Sequence, residues 1–254
     1  MRRLAFVIAL AVPGLVFAQG RGAQPPRSPR EGAPVDLTGY WVSVVTEDWR
    51  WRMVTPLKGD SASVPINREA KKIVDAWDPA ADEAAGQQCK AFGAAAIMRV
   101  PGRLHVLWQD DSTLRLDTDA GMQTRTFRFA APPPGEAPSW QGQSAARWDL
   151  QSVPRRGDQD LVGSGPRTGA GGSLTVVTTN LRPGYLRWNG VPYSDAARVT
   201  EDYDFRTEDD GTEWFTVTTT VEDPAYLAAP FITSTDFRKE PDGSKWRPAS
   251  CAAY

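Results

Sequence analysis

The sequence predicts an all-β domain, mainly antiparallel and built as a barrel or a sandwich, with one short helix near residues 67–77. Three observations lead there. From Leu104 on, apolar and polar residues alternate in runs of about seven, the period of a strand with one buried face. Tight Asp- and Gly-containing turns separate these runs. The later runs are dense in Thr and Val, as in Thr175–Thr179 and Thr216–Thr220, residues that favour a pleated surface.

The elements follow in order. Residues 1–18 have the layout of a signal peptide: Arg2 and Arg3, an apolar stretch over 4–17, and small residues at Val16 and Ala18. That stretch is 14 residues long, against about 20 for a membrane span. The chain is therefore expected to be exported, to the periplasm or the medium. Residues 19–35 are Pro, Gly and Arg with little apolar content and read as a flexible leader. A single β domain is expected over 36–250. Asn67 suits a helix N-cap. Ile66, Ala70, Val74 and Trp77 then share one face, and Asp78-Pro79 ends the helix.

Runs at Leu104–Gln109, Thr113–Asp117 and Gln123–Phe129 read as an antiparallel meander. Further strands are expected at Gln143–Leu150, Ser173–Leu181, Arg198–Arg206, Glu213–Glu222 and Phe231–Lys239. Residues 154–172, rich in Gly, Arg and Asp, read as a flexible insertion. Their Arg156-Gly157-Asp158 triplet is a chance loop sequence before it is an adhesion signal.

The composition bounds the function. In 254 residues there are 29 basic and 31 acidic side chains and one histidine. No basic excess points to nucleic acid. One histidine removes multi-histidine metal sites and most histidine-based catalysis, and no phosphate loop, dinucleotide glycine pattern or zinc spacing occurs. No cofactor and no metal are expected. Two cysteines, Cys89 and Cys251, are expected to pair in an oxidising compartment and pin the tail. No apolar segment after residue 18 is long enough to span a bilayer.

Leu37-Thr38-Gly39-Tyr40-Trp41 opens the ordered part. This Gly-x-Trp start resembles the lipocalin and wider calycin pattern. The resemblance implies a barrel whose Trp plugs one end under a late Arg, here Arg238 or Arg247. A second resemblance spans about 97–240: Trp140-Gln141-Gly142-Gln143-Ser144, Trp148-Asp149, Leu174–Asn180, Asn189–Asp195 and Val221-Glu222-Asp223-Pro224. It is similar to a group of exported, β-rich bacterial proteins to which no function is assigned, and it implies no catalytic residue.

Ten tryptophans are present. In Trp49-Arg50-Trp51-Arg52-Met53, strand alternation puts both indoles on one face and both guanidiniums on the other. The bland reading buries the indoles and turns the arginines to water. Aromatic abundance without acid–base machinery favours non-catalytic binding of a small amphipathic molecule at a barrel mouth. Trp41, Trp108, His105, Arg115, Trp140 and Trp148 are the candidate lining residues. Two alternatives stand beside it. One is a hydrolase using carboxylates among Asp117, Asp119, Asp202 and Asp204. The other is an envelope interaction module that uses the 154–172 loop.

Overall fold

The computed structural model describes residues 27–150 and 172–252. The signal-like stretch, the Arg156-Gly157-Asp158 triplet and the insertion up to residue 171 lie outside the described residues. The first six strands are β1 (Gly39–Val44), β2 (Arg103–Asp110), β3 (Thr113–Thr118), β4 (Ala120–Gly121), β5 (Thr124–Arg128) and β6 (Gln143–Leu150). Then come β7 (Gly172–Thr179), β8 (Gly184–Arg187), β9 (Val191–Tyr193), β10 (Arg198–Thr207), β11 (Glu213–Glu222), β12 (Phe231–Glu240) and β13 (Ala249–Ser250). Nine of them close a barrel in the order β1-β12-β11-β10-β7-β6-β5-β3-β2. The expected all-β class and barrel architecture hold.

Nine strands cannot alternate in direction all the way round a ring, so one neighbouring pair must run parallel. That pair is β5 and β6, matched only at Phe127 with Ser144 and Arg128 with Ala145. The chain crosses over between them through residues 129–142, as a parallel pair requires. The other barrel neighbours are antiparallel. The longest ladder joins β10 to β11, from Arg198 opposite Glu222 to Thr207 opposite Glu213.

Alternation sets what fills the barrel. Leu104 and Val106, Leu114 and Leu116, Phe127, Leu174 and Val176, Tyr203, Phe215, Val217 and Phe237 point inward and pack as one cluster. A second cluster gathers Val199, Val221 and Phe231 from the strands with Val74, Leu181, Leu186, Val191 and Tyr193. Polar residues occupy the same inward rows between the two: Glu201 lies between Val199 and Tyr203, and Thr219 between Val217 and Val221. Arg125 reaches Glu201 there, with Nη1–Oε1 at 2.8 Å and Nη2–Oε2 at 2.6 Å. Thr178 Oγ1 accepts from Arg125 Nη2 at 3.3 Å and lies 2.8 Å from Ser144 Oγ.

Trp41 is fully buried. Its Nε1 donates to Leu37 O at 2.9 Å, and its ring meets Phe215 edge-on at 4.7 Å. The cation over the indole is Lys239, at 5.1 Å, rather than Arg238 or Arg247. One position earlier on β12, Arg238 falls on the opposite face, over Trp214. Arg247 is spent on carbonyls of Ser244 and Trp246.

Helix α1 (Trp49–Arg52) replaces the expected alternation at those residues. A single helical turn separates Trp49, 63% exposed, from Arg52, which is buried, so the arginine goes in and one indole goes out. Helix α2 (Arg68–Ala76) is the expected one: Asn67 Oδ1 accepts from the amides of Glu69 and Ala70, and Ala70 and Val74 are buried. Helix α3 (Pro79–Ala84) follows, with Asp78 accepting from Ala80 N. The Pro-rich leader is docked along part of its length. Arg30 N donates to Asp111 O, Pro29 O accepts from Trp148 Nε1, and Val35 packs on the core. Cys89 and Cys251 form a disulfide across 162 residues.

Candidate functional site

The barrel interior is closed to a ligand. Between Leu37, Val106, Leu114, Leu116, Phe127, Leu174, Tyr203 and Phe215 only about 10 Å³ remains, near the space of one water. The sequence-expected residues therefore have to be sought on the rim and on the outer wall.

Register builds a cleft on that wall. Tyr40 lies opposite His105, His105 opposite Asp117, and Asp117 opposite Thr124. Because Trp41, Leu104, Leu116 and Arg125 point inward, this row across β1, β2, β3 and β5 faces out. The His105 ring stacks on Tyr40, with centroids 4.2 Å apart and planes within 4°. Asp117 Oδ1 accepts from Arg115 Nε at 2.9 Å and from Thr124 Oγ1 at 2.6 Å. The far side of the cleft is the C-terminal tail. Trp246 stands edge-on to Tyr40 at 6.0 Å and to His105 at 6.4 Å. Gly243 lets the tail cross Tyr40, since a Cβ there would sit 2.7 Å from the ring.

The tail is held in three ways. Strand β13 pairs in parallel with β4, Cys251 is bonded to Cys89, and Gln123 Nε2 donates to the Cys251 sulfur at 3.4 Å. Met122, in the left-handed region at φ 50° and 61% exposed, projects at the edge. The open cleft measures about 320 Å³.

Of the six expected residues, His105 and Arg115 meet in this cleft. Trp41 is sealed in the core. Trp108 and Trp148 gather with Phe129, at 5.6 Å and 5.4 Å from its ring. Arg30, Ala33, Pro34, Val35, Asp36 and Thr38 border a second open cleft, of about 370 Å³, beside Trp108. Trp140 lies apart, under the Arg182 guanidinium at 4.4 Å. The expected mouth is thus divided among four places.

The four carboxylates do not converge. Asp117 serves Arg115 and Thr124. Asp119 is buried and accepts from Arg103 N at 2.6 Å. Asp202 accepts from Thr175 Oγ1, and Asp204 is exposed on β10, which lies beyond β5, β6 and β7 from β3. Among the described residues, no three His, Cys, Asp or Glu side chains come together as a metal site. Sequence reading missed Tyr40 and Trp246. Tyr40 was within reach, because an inward Trp41 forces its neighbour outward. Trp246 is 141 residues away along the chain from His105, in a tail with no periodic pattern.

No family model, curated protein or solved structure matches the chain. No described helix is long and apolar enough to cross a membrane.

Proposed function

We propose that this is an exported protein that binds a small amphipathic molecule without chemical conversion, and that the seat is the outer-wall cleft rather than the barrel lumen. The observation that carries this reading is the stacked Tyr40–His105 pair facing Trp246. Stacked and edge-on aromatic surfaces offer a planar apolar group a platform. Arg115, Gln123 and Thr124 line the same cleft and supply polar contacts along its floor. Export is supported by the signal-like start and by the disulfide.

The test uses N-phenyl-1-naphthylamine, a neutral planar amphiphile whose fluorescence rises on leaving water. One saturable site is expected in the full chain, with Trp246→Ala weakening it about tenfold, the value of a lost aromatic contact plus buried area. Equal binding by wild type and Trp246→Ala would remove the cleft as the seat. Absence of saturable binding would remove the reading.

A further inference from the structure

Two Arg-Trp runs of the sequence, Trp51-Arg52 and Arg187-Trp188, come together in a pocket that shares no lining residue with the outer-wall cleft. Trp51 and Arg52 are on α1, Arg99 closes the 3₁₀ turn Ile97–Arg99, and Arg187 ends β8. These four side chains and Trp188, with Leu186 beside them, line one pocket that opens to solvent. The three arginines are 2%, 6% and 3% exposed.

Each guanidinium is fixed by part of its donor set, while other donors meet no acceptor among the described residues. Arg52 binds Glu47 through Nη1 and donates to Arg99 O from Nε at 2.9 Å. Arg99 Nη1 donates to Asp48 Oδ2 at 2.9 Å. Arg187 Nη1 donates to Ala62 O at 2.6 Å. Five nitrogens of these residues meet no acceptor among the described residues: Arg52 Nη2, Arg99 Nη2, Arg187 Nε, Arg187 Nη2 and Trp51 Nε1. Buried donors are otherwise almost always satisfied.

The charges do not balance either. Glu47 and Asp48 answer Arg52 and Arg99, while Arg187 has no carboxylate within ion-pair distance among the described residues. Asp60, which also acts on Arg187 electrostatically, is engaged by Arg50 at 3.7 Å. Burial, with Arg99 alongside, holds Arg187 down to about 10, partly offset by Asp48 and Asp60. Water oxygens accept hydrogen bonds but carry no charge, so water would leave the unbalanced charge unanswered. A multi-oxygen anion meets both demands.

We propose that this pocket binds the carboxylate of a small organic acid. Arg187, a lining residue, keeps Nε and Nη2 without an acceptor among the described residues, and these form the two-pronged edge that matches the two oxygens of a carboxylate. Its guanidinium lies 4.7 Å over the Trp51 ring, which fixes its plane. Arg52 and Arg99 each add one donor. The free space at the head of the pocket is about 20 Å³, near that of one or two waters. A planar two-oxygen head group, being smaller, fits that space better than a tetrahedral four-oxygen one. The ligand body would lie outward along Leu186 and Trp188.

The test titrates the full chain with sodium acetate and, separately, sodium phosphate at constant ionic strength, following the Trp51 indole N–H resonance. That resonance is assigned by its loss in Trp51→Phe. A saturable shift is expected with acetate and none with phosphate. Arg187→Gln should weaken acetate by roughly 30-fold or more, as loss of one partner in a buried charged pair does. Arg187→Lys keeps the charge without the fork, should also weaken acetate, and carries the test if the glutamine variant does not fold. Arg147→Gln, exposed elsewhere on the barrel, should bind as wild type does. No saturable acetate shift, or wild-type affinity in both Arg187 variants, would overturn the site. A phosphate shift without an acetate shift would overturn the carboxylate.

Discussion

Arg125 and Glu201, 76 residues apart, face each other inside the barrel through two parallel hydrogen bonds, with neither side chain exposed to solvent. Burial works against the charge of Arg125, and Glu201 opposite more than restores it, so the guanidinium stays protonated. The pair ties β5, one strand of the parallel seam, to β10 across the interior.

Breaking one half of such a pair strands the other charge in a medium that solvates it poorly. Glu201→Gln is therefore expected to destabilise by about 3–5 kcal/mol. Replacing both partners by apolar residues, Arg125→Met with Glu201→Leu, removes the stranded charge and should recover most of that loss. Urea unfolding of the two variants and wild type checks both signs. A double variant less stable than the single one would mean that the barrel interior needs these charges for more than mutual satisfaction.

The disulfide makes a separate prediction. A loop of 162 residues closed by one bond stabilises by about 5 kcal/mol in the chain-entropy limit. The non-covalent hold on the tail includes only two residue pairs between β13 and β4. Cys89→Ser with Cys251→Ser should lower the urea midpoint and expose residues 241–252 to limited proteolysis before the barrel is cut. It should also move Trp246 off His105 and weaken the outer-wall cleft. A tail as protected as in wild type would show that strand pairing alone suffices.

Where a residue's environment follows from period 2, the sequence was readable. The barrel strands from β2 to β12 fall within a few residues of the alternating runs, and the inward set follows from alternation alone. The short pieces were not readable. The β8–β9 hairpin is only four and three residues per strand, too short for a period to show. Trp49–Arg52 is compatible with a strand and with a helical turn, and tertiary burial of Arg52 decided between them. Closure was legible as an option, and the filled interior was not. Whether a nine-stranded ring encloses space depends on how Phe127, Tyr203, Phe215 and Phe237 meet, and no local pattern encodes that.

Trp41 separates packing from charge at one point of the core. Its indole is fully buried against Phe205 and Phe215, so Trp41→Ala should cost about 3–5 kcal/mol through lost burial and a cavity. Lys239→Met keeps much of the aliphatic stem and removes only the cation over the ring, together with its ion pair to Glu213. It should cost no more than about 2 kcal/mol. Equilibrium unfolding of the two variants orders the effects. A lysine change as costly as the tryptophan change would make the cation, and not the packing, the anchor.

Buried tyrosines set the alkaline limit of the fold. Burial holds the Tyr193 and Tyr203 hydroxyls well above the ordinary phenol range, and at Tyr203 the Glu201 carboxylate adds to it. In the unfolded chain both ionise near the usual value of about 10. Unfolding above that pH therefore releases protons that the folded protein keeps, and stability falls as pH rises. The slope is at most about 1.4 kcal/mol per pH unit for each tyrosine; below about pH 9 these groups add no pH dependence. Arg187, held down to about 10, acts in the opposite sense, so the clean comparison is between wild type and Tyr193→Phe. The Tyr193 hydroxyl has no hydrogen-bond partner among the described residues, and its removal should cost little at pH 8. Between pH 8 and pH 11 the variant should lose less stability than wild type, measured as the urea midpoint at each pH. Identical losses would mean that the Tyr193 hydroxyl reaches solvent and ionises in the folded protein.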